Sequence, residues 1–452
     1  MRGQAVPTNT TETTVFDLTR EHYLRDLRRL AETPAPSWLG KLRAGGEKEF
    51  AAAVFPHTKM EEWRETNLTP LVESPYYSIT CMPRHNLAAF DTAPHRIDGW
   101  INLVFVDGFF DAAISDAVLL PNGAHAGSLA EAMTGPAEPA VRKHLGSCLG
   151  GRSAYTALNT AFLQDGPFLY VPKGVELDRP VHFLCIATER QPNVAAHYRS
   201  LIVLDAMAKA TVAVTSVSMG AGEHHFDNVA EEIVVGDGAA LTRCEVIDAG
   251  EAGRRLCTTE TRQGRDSRFD SFSITLGGAI VRNQLCVLLG ESGAEAHLNG
   301  LYLNADAGLV DNNLHITHGA TNCVSRIAYK GVLDGTSRSV FTGRVLVVRD
   351  AQKTDSVQLN NNLLLSETAR VETRPQLEIY ADDVKCTHGA TVGPPPPEIV
   401  FYFRSRGVDE KTARGMLTYG FAEDLAGRVP DPALRKRLDG IIYRRFSPGI
   451  NG

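Results

Sequence analysis

Two residues near the end of a strand-like region, Cys386 and His388, are the best candidates for metal chemistry. They lie in the stretch 381–393, which ends where four consecutive prolines begin at residue 394. Side chains two positions apart on a strand point to the same face, with backbones about 6–7 Å apart. Thiolate and imidazole bind zinc and the iron of iron–sulfur sites. The spacing favours a cluster, or a ligand shared with a second surface; the alternative is a buried cysteine beside a hydrogen-bonded histidine.

Other metal and catalytic motifs are absent or point to structural roles. His315 and His318 are three residues apart, so a strand directs them to opposite faces and we expect structural roles. No Cys-x-x-Cys pair occurs, and the cysteines of the β region are expected to fill its core: Cys244, Cys257, Cys286 and Cys323. The sequence has no Walker phosphate loop, no His-Glu-x-x-His and no Gly-x-Ser-x-Gly. We therefore expect no nucleotide on this chain and no enzyme activity of these classes.

Composition is that of a soluble globular protein, and it narrows the possible partners. The 452 residues are enough for two or three domains. A net charge of −7, from 46 Lys+Arg against 53 Asp+Glu, disfavours a nucleic-acid partner. No segment approaches the roughly 18–20 apolar residues that span a bilayer. The first residues lack the apolar region of a secretory signal, so we predict a cytoplasmic chain with reduced thiols and no membrane partner.

The elements that must position Cys386 and His388 form a long β region, which we place at residues 166–393. Val, Ile, Leu and Thr alternate with polar residues, and Gly, Asp and Asn turn signals recur between them. Repeat positions step first by 27 to 30 residues and then by 14 to 16: Thr211, Leu241, Phe269, Ala296, Val324, Ser339, Asp355, Val371 and Lys385. Such periods indicate a β-solenoid of stacked coils, with a β-sandwich as the alternative. Open solenoid ends invite pairing, so we expect the flanking helical regions to cover them.

Helical patterns flank this region on both sides. Residues 1–165 read as an α-rich N-terminal domain and residues 394–452 as a C-terminal helical domain. In the latter, Asp409 is a candidate N-cap, and Leu417 and Phe421 belong to an amphipathic stripe. These helices are either a docking module for a partner or simply packed on the end of the solenoid.

Three segments of the sequence resemble the SufB/SufD family of iron–sulfur cluster assembly scaffolds, and within it the SufD subunit. They are residues 59–68 (Lys-Met-Glu-Glu-Trp-Arg-Glu-Thr-Asn-Leu), 373–393, which contain Cys-Thr-His-Gly-Ala-Thr, and 401–407 (Phe-Tyr-Phe-Arg-Ser-Arg-Gly). SufB typically has His-Glu-Ala-Thr where this chain has His388-Gly-Ala-Thr, and it carries clustered cysteines that are missing here. The absent glutamate removes one oxygen ligand, so the resemblance implies a poorer cluster holder.

This resemblance implies a right-handed parallel β-helix core with helical domains at both ends. It implies a complex with SufB and with the ABC-type ATPase SufC, which would hold the ATP. For the chain in isolation we expect a homodimer. By the same resemblance, His388 and Cys386 would lie where a transient iron–sulfur cluster is shared with SufB. The C-terminal helices would contact SufC, through residues that include Phe401, Tyr402, Arg404, Arg406, Leu417 and Phe421. Whether the complex binds a flavin is left open.

Two other functions compete with this non-catalytic scaffold. A β-helix acting on carbohydrate is the enzyme alternative, but it needs convergent carboxylates in a groove, and only scattered acids are visible. A free-standing metal-storage or filament protein is the second alternative. The size of the purified chain with and without its partners separates this possibility from the scaffold.

Overall fold

A computed structural model of the chain describes residues 10–33, 35–73, 76–81, 91–149, 153–188, 193–220 and 225–446. Helices lie toward both ends of this part of the chain. They are α1 (Thr10–Leu30), α2 (Ser37–Ala52), α3 (Thr69–Glu73), α4 (Leu129–Ala132), α5 (Glu138–His144), α6 (Ala154–Ala161), α7 (Pro397–Ser405), α8 (Glu410–Ala426) and α9 (Pro432–Phe446). None of these helices combines the length and the apolar character that crossing a membrane requires.

Strands fill the middle of the chain and alternate between two sheets. In chain order they are β1 (Tyr77–Ser78), β2 (Ile101–Val106), β3 (Phe109–Phe110), β4 (His125–Ser128), β5 (Pro167–Val171), β6 (Val181–Ala187), β7 (Val194–Leu204), β8 (Lys209–Ser218), β9 (His225–Val235), β10 (Ala240–Asp248), β11 (Arg254–Gln263), β12 (Arg268–Thr275), β13 (Ile280–Leu289), β14 (Glu295–Asn304), β15 (Leu309–His318), β16 (Val324–Leu333), β17 (Arg338–Val347), β18 (Asp355–Leu364), β19 (Arg370–Ile379) and β20 (Lys385–Gly393). One ten-stranded sheet has the order β19-β17-β15-β13-β11-β9-β7-β5-β4, with β1 beside β7. The other has the order β20-β18-β16-β14-β12-β10-β8-β6-β2-β3.

Consecutive strands from β5 onward therefore lie in opposite sheets, and each pairs in parallel with the strand two further along. This confirms the predicted parallel β-solenoid, with about seven turns between β7 and β20. The predicted repeat positions fall into register in three rows, Leu241–Phe269–Ala296, Ser339–Val371 and Asp355–Lys385. Val324 is in register with Asp355 but lies one residue away from the partner of Ala296, and Thr211 lies one residue away from the partner of Leu241.

Residues with left-handed backbone form many of the corners between coils. Gly238, Asp266 and Asn322 precede β10, β12 and β16, with φ of +65°, +52° and +58°. This conformation is open to glycine at no steric cost, and aspartate and asparagine are the other residues that adopt it most readily. The corner geometry explains why Gly, Asp and Asn recur between the strands in the sequence.

The lumen of the solenoid is largely apolar but holds a chain of buried ions in its first half. Arg243 lies 2.6 Å from Glu231 and 3.1 Å from Glu245, and Glu245 lies 3.0 Å from Arg255. All four side chains are buried. Charges persist in such a place only when they are paired. Two of the four cysteines expected in the core, Cys257 and Cys323, lie in the lumen cluster. The expectation was wrong for Cys244, which packs under the C-terminal helices. Cys286 is buried, but it lies outside the lumen cluster.

The helices cover the faces of the sheets rather than the ends of the solenoid, so the expected end caps were wrong. Helices α1, α2 and α6 pack on the outer face of the β4–β19 sheet, in a cluster that includes Tyr23, Phe50, Leu158, Phe226 and Leu256. Helices α8 and α9 pack on the outer face of the other sheet, in a cluster that includes Leu301, Val332, Leu425, Leu438 and Ile442. Two strands from before residue 166 extend the two sheets, because β2 pairs with β6 and β4 pairs with β5. The predicted domain boundaries at 165 and 393 stay predictions.

Candidate functional site

The solenoid ends in two open strands, β19 and β20. Each is the last strand of its sheet, and no strand among the described residues pairs with its outer edge. Both strands are largely half-buried or exposed, whereas β6 and β7 are buried throughout. Free N–H and C=O groups along an edge make it a template for pairing with another chain.

Cys386 and His388 lie on β20, on the side that faces the lumen. Cys386 is in register with Ser356, and His388 with Gln358; both of these neighbours are buried in the preceding coil. The two-residue spacing thus brings thiol and imidazole to one face, as the strand periodicity predicts. Because no described coil stacks on β20, this face opens at the end of the solenoid, where Cys386 is half-buried and His388 is exposed.

The two side chains have different surroundings. Cys386 packs against the apolar lumen cluster, and burial raises the pKa of its thiol. The carboxylate of Asp355 adds to that rise, while a backbone hydrogen bond from Ser356 opposes it. The resting thiol is therefore protonated at neutral pH, and a metal ion must displace this proton to gain a thiolate ligand. His388 has an open side from which a ligand can approach.

This pair is not a complete metal site. No group of three or more His, Cys, Asp and Glu side chains able to hold a metal ion occurs among the described residues. Gly389, where the resemblance implies a missing glutamate, is in register with the exposed Leu359, and a Cβ there would lie 3.3 Å from that side chain. A carboxylate at this position would therefore project to the face opposite Cys386 and His388. Among the described residues, this pair therefore has no third metal ligand beside it.

The residues predicted to contact a partner on the C-terminal helices separate into two groups. Phe401 and Tyr402 on α7 are 71% and 57% exposed, and Arg404 and Arg406 beside them are also exposed. Arg406 lies over the ring of Tyr402 at 5.4 Å. An exposed aromatic pair flanked by guanidinium groups is typical of a protein contact surface.

Leu417 and Phe421 on α8 are placed differently. Leu417 is half-buried, and Phe421 packs with the cluster between α8, α9 and the sheet. The ammonium group of Lys330, on β16, lies 4.6 Å from the centre of the Phe421 ring and bonds to Asp424 at 2.6 Å. Leu417 and Phe421 are therefore less exposed than the aromatic pair on α7, and their predicted contact with a partner stays a prediction.

Two family models match the chain over most of its length. The SufBD protein N-terminal region matches residues 20–183, and the SufBD core domain, described as part of SUF system FeS cluster assembly, matches residues 185–421. The chain belongs to the SufBD family. It is 30% identical to the iron–sulfur cluster assembly protein SufD of Escherichia coli over 403 residues, which cover 87% of this chain and 90% of that protein. A SufBD family protein of Synechocystis is 30% identical over 420 residues, with 89% and 90% covered, and SufD of Bacillus subtilis is 26% identical over 292 residues, with 64% and 66% covered.

Family membership confirms the resemblance seen in residues 59–68, 373–393 and 401–407, all of which lie inside the matched regions. The motifs alone missed other exposed apolar side chains near the two surfaces. Val392, Ile379 and Tyr380 are 45%, 40% and 65% exposed at the open end, and Ile399 and Met416 are 42% and 45% exposed on α7 and α8. The signal for the first three was available, because apolar residues on the last predicted coil have no following coil to cover them.

Proposed function

We propose that this chain is a scaffold subunit of SUF iron–sulfur cluster assembly, acting without catalysis of its own in a complex with a SufB-type subunit and a SufC-type ATPase. The observation that carries the proposal is the pair of half-buried Cys386 and exposed His388, on a strand whose outer edge pairs with no described strand at the open end of the solenoid. Membership of a family of cluster assembly proteins supports the same role.

In this proposal the cluster is cargo held between two subunits. Clusters are usually held by four side chains, cysteine thiolates with histidine in some sites. This chain supplies at most two, so the partner must supply the rest. Sharing the ligands makes release simple, because moving the two subunits apart breaks the site without unfolding either one.

The open edges of β19 and β20 are the proposed contact with that partner. A strand from a similar solenoid end would satisfy their free backbone groups and bring its own side chains over Cys386 and His388. A second copy of this chain offers the same edges, which supports a homodimer in the absence of the partner. Exposed Val392 and Tyr380 would be covered in either assembly.

The ATPase would bind at the exposed surface of α7, around Phe401 and Tyr402. Helices α8 and α9 share an apolar cluster with the outer face of the β3–β20 sheet, and Lys330 ties α8 to β16. A force on the helical domain is therefore passed to the sheet that ends in β20.

All eight cysteines are free thiols, which supports work in a reducing compartment such as the cytoplasm.

The cluster role is tested by replacing His388 in cells that depend on this scaffold. His388→Ala is expected to lower the activity of cluster-dependent enzymes while the purified protein keeps its melting temperature and its partners. Thr387→Ala, on the opposite face of the same strand, is the matched control and should behave as wild type. Normal cluster supply with His388→Ala would remove this residue from the mechanism.

The ATPase contact is tested by point substitutions, because deleting residues 398–446 would uncover the apolar outer face of the sheet beneath α8 and α9. Phe401→Ser with Tyr402→Ser is expected to weaken capture of the ATPase by at least tenfold, since exposed aromatic anchors dominate such contacts. Leu119→Ser, at a side chain 93% exposed elsewhere, is the control. Unchanged capture by the double variant would refute the docking assignment.

A further inference from the structure

A cleft of about 500 Å³ lies between the N-terminal region and the outer face of the β4–β19 sheet, away from Cys386 and His388. One wall is the 3₁₀ turn Glu61–Trp63, and the floor and far wall come from β15, β17 and β19. Its size is within the range of small-molecule sites. The cleft is lined by Glu61, Glu62, Asn313, His315, Thr342, Arg344, Arg374, Gln376, Leu377 and Glu378. We call it the Asn313 cleft.

The two cations that line the Asn313 cleft are already neutralised by the protein. Arg344 makes a two-pronged bond to Glu378, with Nε and one terminal nitrogen at 2.8 and 2.9 Å from the carboxylate oxygens. Arg374 bonds to Glu65 at 2.6 Å. A carboxylate or phosphate ligand would have to compete with these pairs, so the cleft is poorly suited to an anion.

The unmet groups of the cleft are hydrogen-bond acceptors. Asn313 is 2% exposed, and its Oδ1 has no hydrogen-bond partner among the described residues. An unsatisfied buried acceptor of this kind destabilises the site until a donor reaches it. Glu61 and Glu62 on the opposite wall form no ion pair with any described residue, although Glu62 lies near enough to help raise the pKa of Arg344. Both arginines that line the cleft are thus paired, whereas in the described part of the chain Asn313 Oδ1 and the carboxylates of Glu61 and Glu62 are not.

We propose that the Asn313 cleft binds a small aliphatic amine of the polyamine class. An ammonium group carries three N–H donors and one positive charge, which match an amide oxygen and two carboxylates that line the same cleft and lack partners among the described residues. The methylene chain of such a ligand can lie along the apolar stem of Arg344. A divalent metal is a poorer match, because no described group of three or more His, Cys, Asp and Glu side chains forms a metal site. This inference stands apart from the proposed scaffold role.

The test is calorimetric titration of the full-length protein with spermidine, at low salt and at physiological salt. Wild type is expected to bind one spermidine at saturation under both conditions. Asn313→Leu should weaken binding at least tenfold, and Glu62→Gln, at an exposed side chain that folding does not need, should weaken it several-fold. Asn299→Leu makes the same chemical change on the outer face of the other sheet and should leave binding unchanged.

Three results would overturn the proposal. The first is that titrating wild type with spermidine gives no heat of binding. The second is that wild type takes up several spermidine molecules at low salt and none at physiological salt. The third is that wild type and Glu62→Gln bind spermidine equally well. The second result would show that spermidine only screens the protein's negative charge. Because Glu62→Gln leaves the core untouched, the test holds even where Asn313→Leu lowers the yield of folded protein.

Discussion

Arg243→Met is the perturbation that most sharply tests how the solenoid lumen is held together. The guanidinium lies 2.6 Å from Glu231 and 3.1 Å from Glu245, and all three side chains are buried. Removing it leaves two carboxylates without their shared cation, which typically costs about 3–5 kcal/mol. The matched control is Arg326→Met, because Arg326 also lies 2.6 Å from its partner Asp355 but both side chains are about 40% exposed. A pair of that kind contributes less than about 1 kcal/mol.

Urea unfolding of the three proteins across pH measures this difference. Burial pushes the pKa of Glu245 upward, but Arg243 and Arg255 outweigh that effect and hold it below its ordinary value. A lowered carboxylate pKa stabilises the fold above the unfolded-state pKa of about 4.3 and loses that contribution as pH falls. In Arg243→Met the pKa of this carboxyl rises, so the deficit should be largest near pH 7 and should narrow toward pH 4. A deficit under 1 kcal/mol at pH 7, or one that does not change with pH, would refute the account of the ion chain.

Three further predictions concern the fold, and each is measured by urea unfolding. Gly300→Ala should lower the free energy of unfolding by about 1–3 kcal/mol, because a Cβ there would lie 2.1 Å from Cε1 of Tyr329. A variant as stable as wild type would show that the lumen can accommodate the extra methyl group. Burial lowers the pKa of His318 to about 4, below the unfolded value near 6.5, so wild type should lose up to about 3 kcal/mol as pH falls from 6.5 to 4. His318→Gln should remove that pH dependence, and its persistence would assign it to other groups. Ser153→Ala should cost about 1 kcal/mol through loss of the capping box on α6, and no change would show that the helix is held by packing alone.

The solenoid was predictable because its rules are local. A strand period of two and corners that need left-handed backbone both appear in the residue order, as at Gly238 and Asp266. The same period placed Cys386 and His388 on one face before any coordinates were considered. Register was less secure: Thr211 lies one residue away from the partner of Leu241, and Val324 one residue away from the partner of Ala296, because successive coils differ slightly in length.

Long-range packing was not predictable in the same way. An amphipathic helix shows that one face is buried but not what covers it, so α8 and α9 were expected at the end of the solenoid and lie on its side. Phe421 illustrates the consequence, because it packs with the cluster beneath α8 and Lys330 of β16 lies over its ring, while its predicted contact with a partner stays a prediction. Arg243 and Glu245 alternate along β10 as solvent-facing residues would, and only the three-dimensional arrangement shows that they neutralise each other inside the lumen.

The central claim is that the open end of the solenoid supplies part of a shared cluster site. It is tested most directly by co-expressing this chain with its SufB-type and SufC-type partners and counting iron and acid-labile sulfide in the purified complex. We predict that wild type and Thr387→Ala retain both elements, and that His388→Ala assembles the same complex with iron and sulfide reduced severalfold. Equal iron and sulfide in the His388→Ala complex would contradict the claim.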